Sequence, residues 1–419
     1  MKKFLLFLFL IASVFANAQN VVTGKVIDEK TKEALPGISI YVNSSTIGTV
    51  TDADGKFSLS LPFGGKVELV ASHLAYQKKI VLVESGSKEI LLIGLKTQDN
   101  TLNEVVIKSS RNKDDNFNKW GDLFTRIIMG TDNRFISGCK IKNPEVLVFY
   151  FDKESNELDV FAKSQLIIEN TVLAYRIKFD MENFKYAFNT DVLQLNYSTF
   201  FEELPIAKAK EAIVKSWRYT AYYGSQMHFM RSVFENNLTR DGFTLYAYRT
   251  LKNQEKERIS KIINNKIGER FAIKNNPNFQ IGSLFANKDT VKYYQMVMKQ
   301  NDITALDTTK VALRKLAVLD REMSTVKFNF KDTLMVSYKP NLAAKQHIAG
   351  KEGAEIKNSH GPKKVTSLNT YMYFIEDGGI NVQSNGYYSE LRLFIYGNMS
   401  ERRISQLLPW DYEPEKTSL

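Results

Sequence analysis

The chain has 419 residues, 43% of them hydrophobic and 25% charged, with 57 basic against 46 acidic side chains and a formal charge of +11. That is material for packed cores in two or three domains, and Cys139, the only cysteine, excludes an intramolecular disulfide framework. The charges are interspersed apart from short clusters such as residues 252–258, so they read as a solvated surface and not as a nucleic-acid footprint.

The first segment reads as a targeting signal. Lys2 and Lys3 precede an apolar stretch from Phe4 to Phe15, and Ala16-Asn17-Ala18 fits small-x-small cleavage. Residues 1–18 are therefore expected to be a signal peptide, with Gln19 or Asn20 starting a mature chain of formal charge +9. Export further disfavours nucleic acid as a partner. No cysteine lies near the cut, which argues against a lipid anchor. No later apolar run is long enough for a membrane helix, so no transmembrane segment is expected in the mature chain. The polar ending "PWDYEPEKTSL" argues against a barrel, which would be expected to finish on an amphipathic strand.

Residues 21–96 read as short strands with period-two alternation. Ile38, Ile40 and Val42 alternate with polar neighbours, as do Phe57, Leu59 and Leu61, and then Val67, Leu69 and Ala71. Pro36-Gly37, Asp54-Gly55 and Phe63-Gly64-Gly65 supply turns. This spacing predicts a β-sandwich of about seven strands. The stretch "GTVTDADGKFSL" invites a calcium-loop reading. However, placing Gly55 at position six of an EF-hand puts Val50 at one and Leu61 at twelve, and neither can ligate a cation. Asp52 and Asp54 are better read as turn formers ahead of a buried Phe57.

The sequence "GKVIDEKTKEALPGISIYVNSSTIGTVTDADGKFSLSLP" resembles the carboxypeptidase-regulatory-like domain. Gly24, Val26, Asp28, Thr31, Pro36, Gly37, Gly48, Thr49, Thr51, Asp52, Gly55 and Phe57 carry the match. The resemblance implies a transthyretin-like, or carbohydrate-binding-like, sandwich. Such domains commonly begin secreted and outer-membrane proteins of Gram-negative bacteria, TonB-dependent receptors among them, and imply no peptidase activity.

Residues 97–113 read as a polar linker with one short strand over Leu102–Lys108, either an edge strand or a segment that adds to a partner's sheet. From residue 114 to 419 the texture becomes α+β. Phe117, Trp120, Phe124, Ile127 and Ile128 recur at helical spacing, and a long helix is expected over Ala207–Asn236. Strands are expected at 145–151, 158–162, 172–179, 243–248, 293–297, 325–330, 333–338, 370–375 and 388–395. Ser400 is placed to cap a last helix ending at Pro409. The stretches "IIENTVLAYRIKFDMENFKY", "SWRYTAYYGSQMHFMRS" and "RISQLLPWDYEPE" resemble a family of envelope proteins with an "AYYGS-x-x-HF" helix and a terminal "LLP-x-DYEP". Tyr222, Tyr223, Gly224, Ser225, His228, Phe229, Asp411, Tyr412, Glu413 and Pro414 match. This second resemblance implies no activity.

Candidate chemistry is sparse. Ser225 and His228 lie three apart on one helix face, a weak catalytic pair without a Gly-x-Ser-x-Gly elbow. Arg231 or Arg218 is expected to pair with a carboxylate of Asp411 or Glu413. His73, His228, His347 and His360 form no metal-ligand spacing, so no metal and no cofactor is expected. Gly378-Gly379 lacks the Lys-Ser/Thr of a P-loop and reads as a hairpin turn. Tyr41, Tyr222, Tyr223, Trp410 and Tyr412 are conceivable sugar platforms. The expected protein is a non-enzymatic exported envelope protein, periplasmic, outer-membrane associated or at the cell surface. Its expected partner is an outer-membrane or periplasmic protein or a glycan. A glycan- or peptide-binding module linked to outer-membrane uptake, and a hydrolase with a site near His228, are the competing readings.

Overall fold

The computed structural model describes residues 20–61, 65–85, 89–97, 112–113, 117–268, 284–300, 303–321, 324–340, 369–388 and 392–415. The expected signal peptide, the 102–108 strand, His347 and His360 lie outside these residues.

The N-terminal unit is a two-sheet sandwich. Its strands are β1 (Asn20–Asp28), β2 (Ser39–Val42), β3 (Gly48–Val50), β4 (Lys56–Leu61), β5 (Lys66–His73), β6 (Tyr76–Glu84) and β7 (Leu91–Leu95). One sheet has the order β4-β1-β7 and the other β3-β2-β5-β6. Val22, Val26, Ile40, Phe57, Leu59, Leu69 and Ile93 meet between them. Burying a side chain such as Phe57 contributes about 1.5–3 kcal/mol. Gly24 is required because a Cβ there would lie 2.5 Å from the Phe57 ring. The family motif has a local logic. Thr51 Oγ1 accepts from Ile38 N at 2.9 Å and donates to the Leu35 carbonyl at 2.7 Å, tying the "LPG" turn to its hairpin. Asp52 Oδ1 accepts from Asp54 N and Lys56 N, and Gly55 has φ +73°, so this aspartate organises a turn.

The remaining residues build two further cores. The first is a seven-stranded sheet of β8 (Asn112–Lys113), β9 (Cys139–Ile141), β10 (Leu147–Asp152), β11 (Glu157–Ala162), β12 (Leu166–Asn170), β13 (Tyr175–Ala187) and β14 (Val192–Glu203). Helices α1 (Phe117–Met129), α2 (Asn133–Ile136) and α3 (Glu211–Tyr222) accompany it. Phe124, Phe135, Phe149, Phe179 and Phe201 are sealed in its core. The second core lies beyond α4 (Gln226–Phe234). It joins β15 (Phe243–Lys252), β16 (Ile303–Lys310), β19 (Thr333–Tyr338), β20 (Asn369–Phe374) and β22 (Leu393–Gly397) in one sheet. A smaller sheet holds β17 (Ala317–Asp320), β18 (Thr325–Phe328) and β21 (Ile380–Val382). Helices α5 (Gln254–Gly268) and α6 (Lys288–Met298) pack together through Ile259, Ile263 and Val297. Helix α4 bridges the cores, with Met227 in the first and Phe229, Met230 and Val233 in the second.

Four local expectations are corrected. The helix expected over 207–236 is broken at Tyr223-Gly224-Ser225, where Gly224 takes φ +75° and a Cβ would strike the Tyr338 ring at 2.6 Å. The strand expected at 293–297 is part of α6, because the Asn287 side chain accepts from Asp289 N and Thr290 N and starts a helix. The helix expected after Ser400 is only a 3₁₀ turn at Ile404–Gln406. Arg402 and Arg403 are instead spread apart to bond carbonyls in two helix-terminal regions. Gly378-Gly379 is not a hairpin turn, since β20 and β21 belong to different sheets.

Candidate functional site

Two places merit consideration, the junction between the two larger cores and the joint between the sandwich and the seven-stranded sheet. The junction gathers the residues singled out from sequence. Ser225 is the N-cap of α4, and its side chain accepts from His228 N at 3.1 Å. His228 Nδ1 in turn accepts from Gly224 N at 3.1 Å. Ser225 thus caps the helix, and His228 at its third position reaches back past the cap to the Gly224 N–H, while the Ser225 N–H itself donates to the Tyr222 carbonyl. His228 is 5% exposed and ringed by Tyr222, Tyr223, Phe243 and Tyr338. Burial pushes its imidazole down to about 4.

Arg231, also 5% exposed, fastens the C-terminal segment. It donates to the carbonyls of Asn385, Tyr412 and Trp410 at 2.8, 2.9 and 3.0 Å, and its Nη1 lies 3.5 Å from Glu413. Arg218 pairs with Glu203 at 3.0 Å and stacks over the Tyr175 ring. Tyr222 is buried against Tyr223, His228 and Tyr412, and burial pushes its phenol up to about 12. Trp410 is half-buried and meets Tyr387 edge-on. Further along this segment Arg402 donates to the carbonyls of Ala221 and Tyr223 where α3 ends, and Arg403 donates to Ile127 in the last turn of α1. Burial pushes the Arg402 guanidinium down to about 10. These contacts favour the helix C-termini electrostatically. Seven sequence-derived candidates, Ser225, His228, Tyr222, Tyr223, Arg231, Trp410 and Tyr412, therefore converge on one knot of mutual contacts, while Tyr41 lies apart from them on the sandwich strand Ser39–Val42.

The second place was not legible beforehand, apart from Tyr41. The β2–β3 turn of the sandwich docks on the edge of β14. Ser44 N donates to the Thr199 carbonyl at 2.7 Å, Phe201 N to the Ser45 carbonyl at 2.9 Å, and Thr199 N to the Asn43 side chain at 3.0 Å. Trp410 N donates to the Ser44 carbonyl and Asp411 accepts from Thr46, so the C-terminal segment covers the same turn. Lys78 crosses from β6 to Asp180 and Glu182 at 3.2 and 2.8 Å. Asn43-Ser44-Ser45-Thr46 looks like an ordinary turn in sequence, so nothing marked it as a docking element.

Beside this joint is a cavity of about 1080 Å³ between the sandwich and the seven-stranded sheet. Tyr41 and Phe200, with ring centroids 5.0 Å apart, come from opposite sides of it. Lys178 pairs with Glu202 at 2.6 Å on one wall. The Tyr41 phenol is 4% exposed, and burial, then Asp180, raises it above its usual range. A smaller cavity of about 390 Å³ lies beside Arg218 and Tyr412. Among the described residues no three His, Cys, Asp or Glu side chains are grouped to hold a metal ion. No described helix is long and apolar enough to cross a membrane.

The comparisons with known proteins concern the sandwich. The chain is 34% identical over 91 residues to a TonB-dependent receptor of Formosa agariphila, covering 22% of this chain and 8% of that protein. It is 33% identical over 108 residues to the TonB-dependent receptor SusC of Bacteroides thetaiotaomicron, covering 25% of this chain and 10% of that one. The match thus spans a tenth or less of the length of these curated relatives. Residues 22–107 match the CarboxypepD_reg-like domain family, and the N-terminal sandwich of this chain is a CarboxypepD_reg-like domain.

Proposed function

We propose that the protein is an exported cell-envelope protein with a non-enzymatic binding or assembly role, and that its ligand site is the cleft between the sandwich and the seven-stranded sheet. In this reading the sandwich, a linker over 97–113 and an α+β domain from residue 114 act as one docked unit. The observation that carries it is the 1080 Å³ cavity at a joint held by backbone pairing and ion pairs. Clefts at domain interfaces are favoured ligand sites. Catalysis near His228 is disfavoured because its imidazole is enclosed and both Ser225 and His228 are engaged in bonds at the start of α4. The test is a thermal-shift panel of oligosaccharides and peptides on the purified chain, with wall variants at Lys178 and Gln165. Stabilisation by a ligand that these variants abolish supports the reading, and a ligand unaffected by them contradicts it.

A second reading links this role to outer-membrane uptake, and the likeness of the sandwich to the start of TonB-dependent receptors favours it. Fractionation with cross-linking in the native envelope tests it. Recovery of an outer-membrane receptor cross-linked through the sandwich is the expected result, and an exclusively soluble periplasmic chain without such adducts is the contrary one.

A further inference from the structure

Strand β6 stands at an edge of its sheet, whose order is β3-β2-β5-β6. Its register against β5 runs from Lys66↔Glu84 to Ala71↔Lys79, and Ser85 N continues it by donating to the Gly65 carbonyl. The residues of β6 that exchange hydrogen bonds with β5 are therefore Lys79, Val81 and Val83. The far side of β5 agrees. Asn43 N donates to the Glu68 carbonyl, so Glu68 and Val70 face β2, and Val67, Leu69 and Ala71 are left to face β6. By the same alternation the N–H and C=O groups of Ile80, Leu82 and Glu84 point out of the sheet. Among the described residues, only Lys96 and Thr97 bring backbone to this edge, at Gln77 and Tyr76. From Lys78 to Glu84 no described strand pairs with it.

The side chains at the open positions carry a pattern of their own. Val81 and Val83 turn toward the sandwich core, while Ile80 and Leu82 are 40% and 53% exposed on the opposite face. A long edge that shows apolar side chains and outward backbone groups is a template for another strand. On the same face Glu68 lies opposite Leu82, Glu84 follows it, and Asp180 and Glu182 stand at the Lys78 end. Lys66 and Lys78 are the lysines there, so the acids outnumber them. Lys79 turns away to the other sheet, where its ammonium donates to the Gly94 carbonyl at 3.0 Å. From this combination we infer that the β6 edge binds an extended basic peptide segment of a partner protein by strand addition. Backbone bonds to Ile80, Leu82 and Glu84 supply the affinity. Alternate apolar side chains of the peptide lie against Ile80 and Leu82, and basic ones meet the acids at either end. The edge leaves the cleft at Lys78, which lines it, but the inference stands whether or not the cleft itself holds a ligand.

The probe is a synthetic peptide, Lys-Thr-Val-Thr-Val-Thr-Lys, beside one with glutamates in place of the lysines and one with serines in place of the valines. Binding to the full chain is read by titration calorimetry, and amide exchange by NMR on chain labelled at isoleucine, leucine and valine. In the free chain the Ile80 and Leu82 amides should exchange at least about tenfold faster than those of Val81 and Val83, and the lysine peptide should slow them. The glutamate and serine peptides should each bind about tenfold more weakly at about 0.05 M salt, and the glutamate deficit should shrink by about 0.5 M. Leu82→Pro removes one outward N–H without touching a bond to β5, a place where an edge strand tolerates proline. Leu82→Lys sets a charge on the same edge. Both should weaken the lysine peptide at least about tenfold, with the melting temperature little changed. Ile80 and Leu82 amides already protected in the free chain would overturn the inference, because the edge would then be covered by the chain itself or by a second copy. No binding of the lysine peptide overturns it too, as does binding that Leu82→Pro leaves intact. A glutamate peptide that binds as tightly as the lysine one overturns the basic character of the partner.

Discussion

Thr46 and Asp411 stand 365 positions apart and are joined directly: the Thr46 backbone N–H donates to Asp411 Oδ1 at 2.9 Å, and its hydroxyl donates to Oδ2. The bond connects the CarboxypepD_reg-like domain to the C-terminal segment at the turn that also pairs with β14. Asp411→Ala should cost about 1–3 kcal/mol, because it strands a part-buried N–H and removes a charge-assisted bond. Calorimetry should then show a sandwich transition separating from that of the remainder. One unchanged transition would mean that the contact does not couple the units.

Arg231 is the corresponding fastener at the knot. Its planar fork reaches three carbonyls on two segments, which a lysine ammonium cannot span. Arg231→Lys is expected to lower stability by about 2–4 kcal/mol, and Arg231→Ala by at least as much, read from urea midpoints. A loss below about 0.5 kcal/mol in both would show that the C-terminal segment is held elsewhere.

His228 makes stability depend on pH. Burial lowers its imidazole from the ordinary 6.5 to about 4; Asp241 opposes this, while Arg402, Arg231 and Arg240 reinforce it. The folded state therefore excludes a proton that the unfolded state accepts. Its contribution is complete above about pH 6.5 and is lost as pH falls toward 4, by up to ~3 kcal/mol. Urea midpoints measured from pH 7.5 to 4.5 should fall accordingly. An NMR titration giving His228 an ordinary imidazole value in the folded chain would contradict the enclosure.

Ser225 provides a clean separation of roles. As an N-cap, Ser225→Ala should cost about 1 kcal/mol and Ser225→Thr much less. As a nucleophile it would leave stability unchanged and abolish turnover in both. Urea denaturation of the two variants decides between these outcomes.

The sandwich was readable because its determinants are local. Alternation in Phe57, Leu59 and Leu61 sets the buried face, and Asp52, Gly55 and Thr51 act within one hairpin. The helix over 117–129 was readable for the same reason. The knot was half readable: "AYYGS-x-x-HF" and "DYEP" stood out as unusual, but their meaning depends on Arg231 reaching carbonyls some 180 positions away. Tyr293–Val297 misled because an aromatic, β-branched run fits a strand, while the cap at Asn287 and packing against α5 make it helix. The cleft was hidden almost entirely, since Tyr41 and Phe200 become neighbours only once the β2–β3 turn docks on β14.

That docking is the central claim, and a disulfide trap tests it most directly. Ser44 Oγ and Thr199 Oγ1 lie 2.9 Å apart across the joint, so the pair Ser44→Cys and Thr199→Cys should close a bridge with little backbone movement. Cys139 should not compete, because burial pushes its thiol up to about 12. Mild oxidation of the double variant should give a fast-migrating monomer on non-reducing gels, with a raised melting temperature and ligand binding intact. Two free thiols after oxidation, or a bridge that forms only with loss of the fold, would contradict the docked arrangement.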